Sequence, residues 1–90
     1  LANGLDVILL EDHRLPLVAV NIWYHVGPAN ERPGLTGFAH LFEHMMFEGS
    51  RHVGEKGHFH YLEAAGASEI NGTTDFDRTN YFETLPSSRL

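Results

Sequence analysis

Ten consecutive residues, Phe38 to Phe47, constrain this 90-residue chain more than any others. Seven are apolar (Phe38, Ala39, Leu41, Phe42, Met45, Met46, Phe47) and three are ionisable (His40, Glu43, His44). Thr36 is a suitable N-cap and Gly49 a suitable stop, so the spacing predicts a helix from about Gly37 to Phe47. A helix that is apolar all round is expected to be buried. At about 100° per residue, His44 falls about 40° from His40 and Glu43 about 60° to the other side, so all three occupy one arc of about 100°.

Placing two imidazoles and a carboxylate together inside an apolar setting is costly. An unsatisfied buried polar group costs about 1–3 kcal/mol, and an isolated buried carboxylate is driven to protonate. A divalent cation removes that penalty. Two neutral histidines at i and i+4 can hold one zinc from the same helical face, at about 2.0–2.1 Å. The neighbouring glutamate then lies where a carboxylate can take a proton from water activated by the metal, the chemistry of amide hydrolysis. His40-Leu-Phe-Glu43-His44 has the H-x-x-E-H order of the inverted zinc peptidases. The alternative is a helix whose histidines and glutamate hydrogen-bond to one another and to backbone.

The rest of the chain frames this helix. Leu5 to Leu10, after the turn signal Asn3-Gly4, reads as a strand, and Leu17 to Val26 as a second. The unbroken Leu17-Val-Ala-Val20 run predicts a strand covered on both faces. Gly27 to Gly34, with two prolines and two glycines, reads as a loop. A second helix is expected from about Glu55 to Ala65, followed by strands Ser68–Asn71 and Thr79–Leu85 around a loop from Gly72 to Asp77. The order ββααββ indicates an α+β fold with helices packed on one face of a largely antiparallel sheet. The chain opens on Leu1 and closes on Leu90 just after a strand, and reads as a piece of a larger domain.

Three stretches carry a family resemblance. Gly37-Phe-Ala-His40-Leu-Phe-Glu43-His44-Met-Met-Phe47, with Gly49 after it, closely resembles the catalytic helix of the pitrilysin-type (M16) zinc metallopeptidases. Asn71-Gly72-Thr73-Thr74-Asp75, followed by Thr79-Asn80-Tyr81, is similar to that family's Asn-Ala-x-Thr strand and loop, and Leu1 to Val26 to its opening hairpin. The likeness covers nearly the whole chain and is closest to bacterial members. It implies that residues 1–90 form the N-terminal part of a processing-peptidase-like metallohydrolase domain. It further implies zinc (Zn2+) on His40 and His44, Glu43 as general base, Asn71 on the substrate backbone with Gly72 beside it, and Phe47 lining a side-chain pocket. The family's third metal ligand, a glutamate about 75 residues beyond the second histidine, would lie past Leu90. This stretch alone would therefore hold zinc through two ligands at most and would not turn over substrate. The implied partners are an unstructured peptide substrate and a second M16 domain or subunit that closes a chamber around it. Gly72 stands where the family usually has alanine, a mild departure.

Several classes are excluded or set aside. Six basic residues against twelve acidic ones, net charge −6, argue against nucleic acid as partner. No apolar run approaches the roughly 18 residues of a membrane span, and the likeness to bacterial proteases fits an exported or periplasmic setting. With no cysteine, there is no thiolate metal site or nucleophile. That also counts against the cysteine-dependent S-ribosylhomocysteine lyases, which share the inverted motif. A non-catalytic M16-like scaffold or peptide-binding subunit is the alternative function, although such relatives usually lose one of the three motif residues. His13, His25, His52, His58 and His60 read as surface or strand-end residues. Glu69, Asp75 and Asp77 read as solvated rather than as further ligands, and Trp23 and Tyr24 as core or interface aromatics. Asn71-Gly72-Thr73 also fits a tight turn or a glycosylation sequon.

Overall fold

The computed structural model describes residues 1–90. Strands β1 (Leu17–Tyr24), β2 (Ser68–Asp75) and β3 (Arg78–Pro86) form one antiparallel sheet in the order β1-β3-β2. Helices α1 (Phe38–Glu48) and α2 (Gly57–Ala64) lie in the connection from β1 to β2, and single 3-10 turns occupy Pro28–Asn30 and Ser87–Arg89. This is the α+β arrangement expected, with α1 against β2 and β3 on one face of the sheet.

The central strand explains the register. β3 pairs with β1 from Leu17↔Pro86 to Tyr24↔Thr79 without a break. β2 and β3 form a hairpin closed by only two residues, Phe76 and Asp77, beyond the pair Asp75↔Arg78. Residues 72–75, expected in a loop, are therefore strand. Threonines at 73 and 74 suit a pleated strand, and a two-residue turn leaves them no slack. Side chains alternate across a strand. Tyr81 and Thr79 face α1 together with Gly72 and Thr74, while Asn80, Arg78 and Thr73 point to the other face. There, Arg78 donates to Thr73 and Asn80, Asn80 donates to Asn21, and the Arg78 guanidinium lies over Trp23 at 5.2 Å.

One extra residue interrupts β2. Between Ser68↔Thr84 and Asn71↔Phe82 the strand advances three residues while its partner advances two. This bulge places Glu69 at φ 56, a left-handed conformation that a non-glycine residue enters at a cost of order 1–3 kcal/mol.

Three further expectations fail. Leu5–Leu10 forms no strand, so the element order is βααββ. The Asn3-Gly4 turn does form, with the Gly4 N–H donating to the Leu1 carbonyl. It folds the chain back on only four residues, and no partner strand lies across from residues 5–10. Secondly, α1 is not buried: Phe38, Leu41, Phe42, Met45 and Met46 are between 46% and 57% exposed. A helix resting on one sheet covers one stripe of its surface, and covering the rest takes a second layer. Thirdly, β1 is largely exposed, with only Val18 and Val20 half-buried, so it is not covered on both faces as expected. Trp23 and Tyr24 share that exposure. Tyr81 and Leu85, both on β3, are the buried apolar residues.

The helix starts are also built differently from the expectation. Thr36 does not cap α1. Gly37 occupies the cap position in the left-handed region, and the Glu31 carboxylate accepts hydrogen bonds of 2.7 Å from the Gly37 and Ala39 N–H groups. A carboxylate at the positive end of the helix dipole does the work of a local serine or threonine cap. α2 begins at Gly57, two residues later than expected, after Lys56 in a left-handed conformation.

Candidate metal centre

His40, Glu43 and His44 each present a ligand-type atom, and these atoms lie within 4.8 Å of one another. The helical spacing alone places them so. Residues four apart stack one turn above another, and the two imidazole rings sit 4.7 Å apart. Their Nε2 atoms are 3.0 Å apart. Two nitrogens each about 2.0–2.1 Å from a tetrahedral ion stand about 3.3 Å apart, so the observed separation fits a shared metal with little adjustment. The same distance suits a direct hydrogen bond between one protonated and one bare ring nitrogen. Both histidines are exposed, and Glu43 alone of the three is buried, at 8% exposure.

Glu43 is held from the sheet. The Thr74 hydroxyl on β2 donates to its Oε2. Tyr81, the β3 residue paired with Gly72, lies close enough for the Glu43 charge to matter. Burial first, then the Glu43 carboxylate and Tyr24, push the Tyr81 phenol above its usual pKa of 10.0. Neither Thr74 nor Tyr81 was singled out by the sequence. Both sit in the second resembling stretch, but nothing in a linear pattern tells which of its side chains turn toward a helix 31 residues away.

The remaining expected site residues fall in different places. Asn71 is exposed on the edge strand β2, and its side-chain oxygen accepts from the Gly72 N–H at 2.9 Å. Gly72 is buried under α1; a Cβ there would stand 3.2 Å from the Phe47 and Tyr81 rings and 3.3 Å from the Asn80 carbonyl. Phe47 is packed rather than presented. Its ring stacks on Phe59 at 5.1 Å and meets His58 and Tyr81 edge-on at 5.2 and 5.6 Å. It backs Gly72 instead of lining an open pocket. His58, expected at the surface, is half-buried in this aromatic cluster with its Nε2 unpaired. Glu69 accepts from the Thr84 hydroxyl and Asp75 sits 3.8 Å from Arg78, so neither joins the cluster on α1. An open apolar groove of about 410 Å³ runs along the other flank of α1, lined by Tyr24, Val26, Phe38, Phe42, Met46 and Tyr81. None of His40, Glu43 and His44 lines it.

The sheet with α1 packed against it and the cluster of His40, Glu43 and His44 on that helix form an α+β arrangement that comparison with known proteins assigns to a family. The chain belongs to the insulinase family, peptidase family M16, which matches residues 6–90. It is 32% identical over 83 residues to the zinc protease PqqE of Helicobacter pylori, covering 91% of this chain and 18% of that protein. It is 28% identical over 82 residues to human insulin-degrading enzyme, covering 91% of this chain and 8% of the enzyme. Among solved structures, a protease from Helicobacter pylori superposes with a TM-score of 0.77 at 28% identity, over 82% of this chain and 18% of that one. The chain thus spans less than a fifth of the length of these relatives. No helix is long and apolar enough to cross a membrane.

Proposed function

We propose that these residues supply the metal-binding helix and part of the substrate cleft of a zinc endopeptidase acting on short or unstructured peptides. The observation that carries the reading is the meeting of two exposed imidazoles and one buried carboxylate on a single helical arc. The donor set fits zinc: two neutral nitrogens and a nearby oxygen, in an arc reached by solvent. His40 and His44 would hold the ion through their ring nitrogens and leave two tetrahedral positions to groups outside this helix, one of them a glutamate beyond Leu90. Zinc bound there supplies Lewis acidity, which brings a water proton within reach of a carboxylate base at neutral pH.

Glu43 is that base. It takes the proton from the attacking water and returns it to the departing amine. Its burial and its anchor on Thr74 keep it beside the histidines. β2 is an edge strand, so an extended peptide can pair with its free side, main chain to main chain. Asn71 lies on that edge and keeps its amide N–H2 group free to donate to a substrate carbonyl. Gly72, buried beside it against Phe47 and Tyr81, sets the backbone of that edge close under α1. The exposed apolar surface of α1 and β1 is covered, in this reading, by the remainder of the native protein, which includes a second M16 domain or subunit closing a chamber.

The test uses the full-length native protein. Glu43→Gln is expected to keep its zinc, measured by elemental analysis, and to lose peptide cleavage by about 10²–10⁴-fold. Undiminished cleavage in that variant overturns the assignment of Glu43. A full-length protein that purifies free of zinc and takes up none on titration overturns the metal site.

A further inference from the structure

We infer that Thr74 is a positioning residue: its hydroxyl holds the Glu43 carboxylate in the orientation that proton transfer requires. This rests on the proposed peptidase reading and goes beyond it, because the base is assigned by its spacing in the motif, whereas its orientation is set by another element. Glu43 is the buried member of the cluster, and a carboxylate on a three-torsion side chain does not hold one direction unaided. Thr74 Oγ1 donates to Oε2, which restrains that oxygen on the β2 side and leaves Oε1 without a side-chain partner.

Two features make Thr74 a rigid anchor. It is β-branched and lies in a hydrogen-bonded strand, so its χ1 is restricted. The two-residue turn at Phe76–Asp77 fixes the hairpin register, Thr74↔Thr79 and Asp75↔Arg78. A slip of one residue would turn Thr74 to the opposite face and bring Thr73 or Asp75 toward the helix. Thr73 is already committed to Asn80 and Arg78 on that opposite face. An aspartate beside Glu43 would set two carboxylates against each other. Of the residues on this strand, Thr74 is the hydroxyl that the fold turns toward the base.

The experiment measures kcat and KM for peptide cleavage by the full-length native protein, with zinc content and Tm alongside. Thr74→Val keeps the shape and removes the donor. It is expected to lower kcat by about 10- to 100-fold while KM and zinc content stay within about twofold. Thr74→Ser, which restores the hydroxyl, is expected to recover kcat to within about fivefold of the parent. If Thr74→Val does not fold, Thr74→Ala is read in its place against the same serine rescue. An unchanged kcat in the valine or alanine variant overturns the inference, as does a serine variant no better than valine. Glu43→Gln is the control: its inactivity beside an unaffected Thr74→Val sinks the positioning role alone, its full activity overturns Glu43 as the base, and a parent protein that cleaves no peptide when loaded with zinc sinks the peptidase reading itself.

Discussion

Tyr81 shows how a single residue reports on its surroundings. Its ring fills the space between Tyr24, Phe47 and Gly72, and its phenol feels burial first and the Glu43 charge second. Both favour the neutral form, so its pKa is higher in the fold than in the unfolded chain. The sign follows: the contribution to stability is complete below pH 10.0 and is lost as pH rises through the raised value. Urea midpoints of the full-length protein, measured between neutrality and alkaline pH, are expected to decline above that point. The decline should be shallower in Tyr81→Phe; an identical alkaline slope would remove the shift from consideration. At this scale the sequence was informative where spacing decides. His40, Glu43 and His44 were legible because one helix brings them together by its own geometry. Thr74 was not, because its contact to Glu43 bridges 31 positions and depends on strand register.

Between elements, the loop after β1 is clamped onto the hairpin turn. The Ala29 N–H donates to the Phe76 carbonyl at 2.7 Å, and the Thr79 hydroxyl donates to the Val26 carbonyl at 3.0 Å. Gly27 makes this approach possible: a Cβ there would stand 2.2 Å from the Asp75 carbonyl oxygen and 2.6 Å from that of Phe76. Those are backbone atoms that cannot rotate away. Gly27→Ala is expected to cost about 3 kcal/mol or more, read as a lowered urea midpoint in the full-length protein. A change below about 0.5 kcal/mol would show that the loop does not need this contact. The clamp also places Glu31 where it caps α1, so the helix that carries His40, Glu43 and His44 starts where a distant loop tells it to. The local sequence places the helix within one residue of its observed ends but offers Thr36 as its cap, since the carboxylate that caps it comes from six residues upstream.

Across the whole chain, seven of ninety residues are buried, and most of β1 and much of α1 stand open. A chain of this size already buries too little surface to be secure, and here the apolar area is arranged as a layer awaiting another. The ninety residues expressed alone are expected to show no cooperative thermal transition by circular dichroism and to bind a hydrophobic dye. A sharp, reversible transition would mean that the visible core suffices. The expectation of a buried α1 came from composition, which says how apolar an element is. It does not say which other elements are present to cover it.

Near neighbours along the chain suffice for α1, for the arc that gathers His40, Glu43 and His44, for three of the four expected strands and for the family resemblance. These follow from periodicity and side-chain chemistry over a few residues. Long-range packing settles that Leu5–Leu10 goes unpaired, that residues 72–75 are strand, that Phe47 backs Gly72, and that Thr74 reaches Glu43. Each depends on which strand lies beside which and in what register. That choice is made by contacts far apart in the chain, and no local pattern contains it.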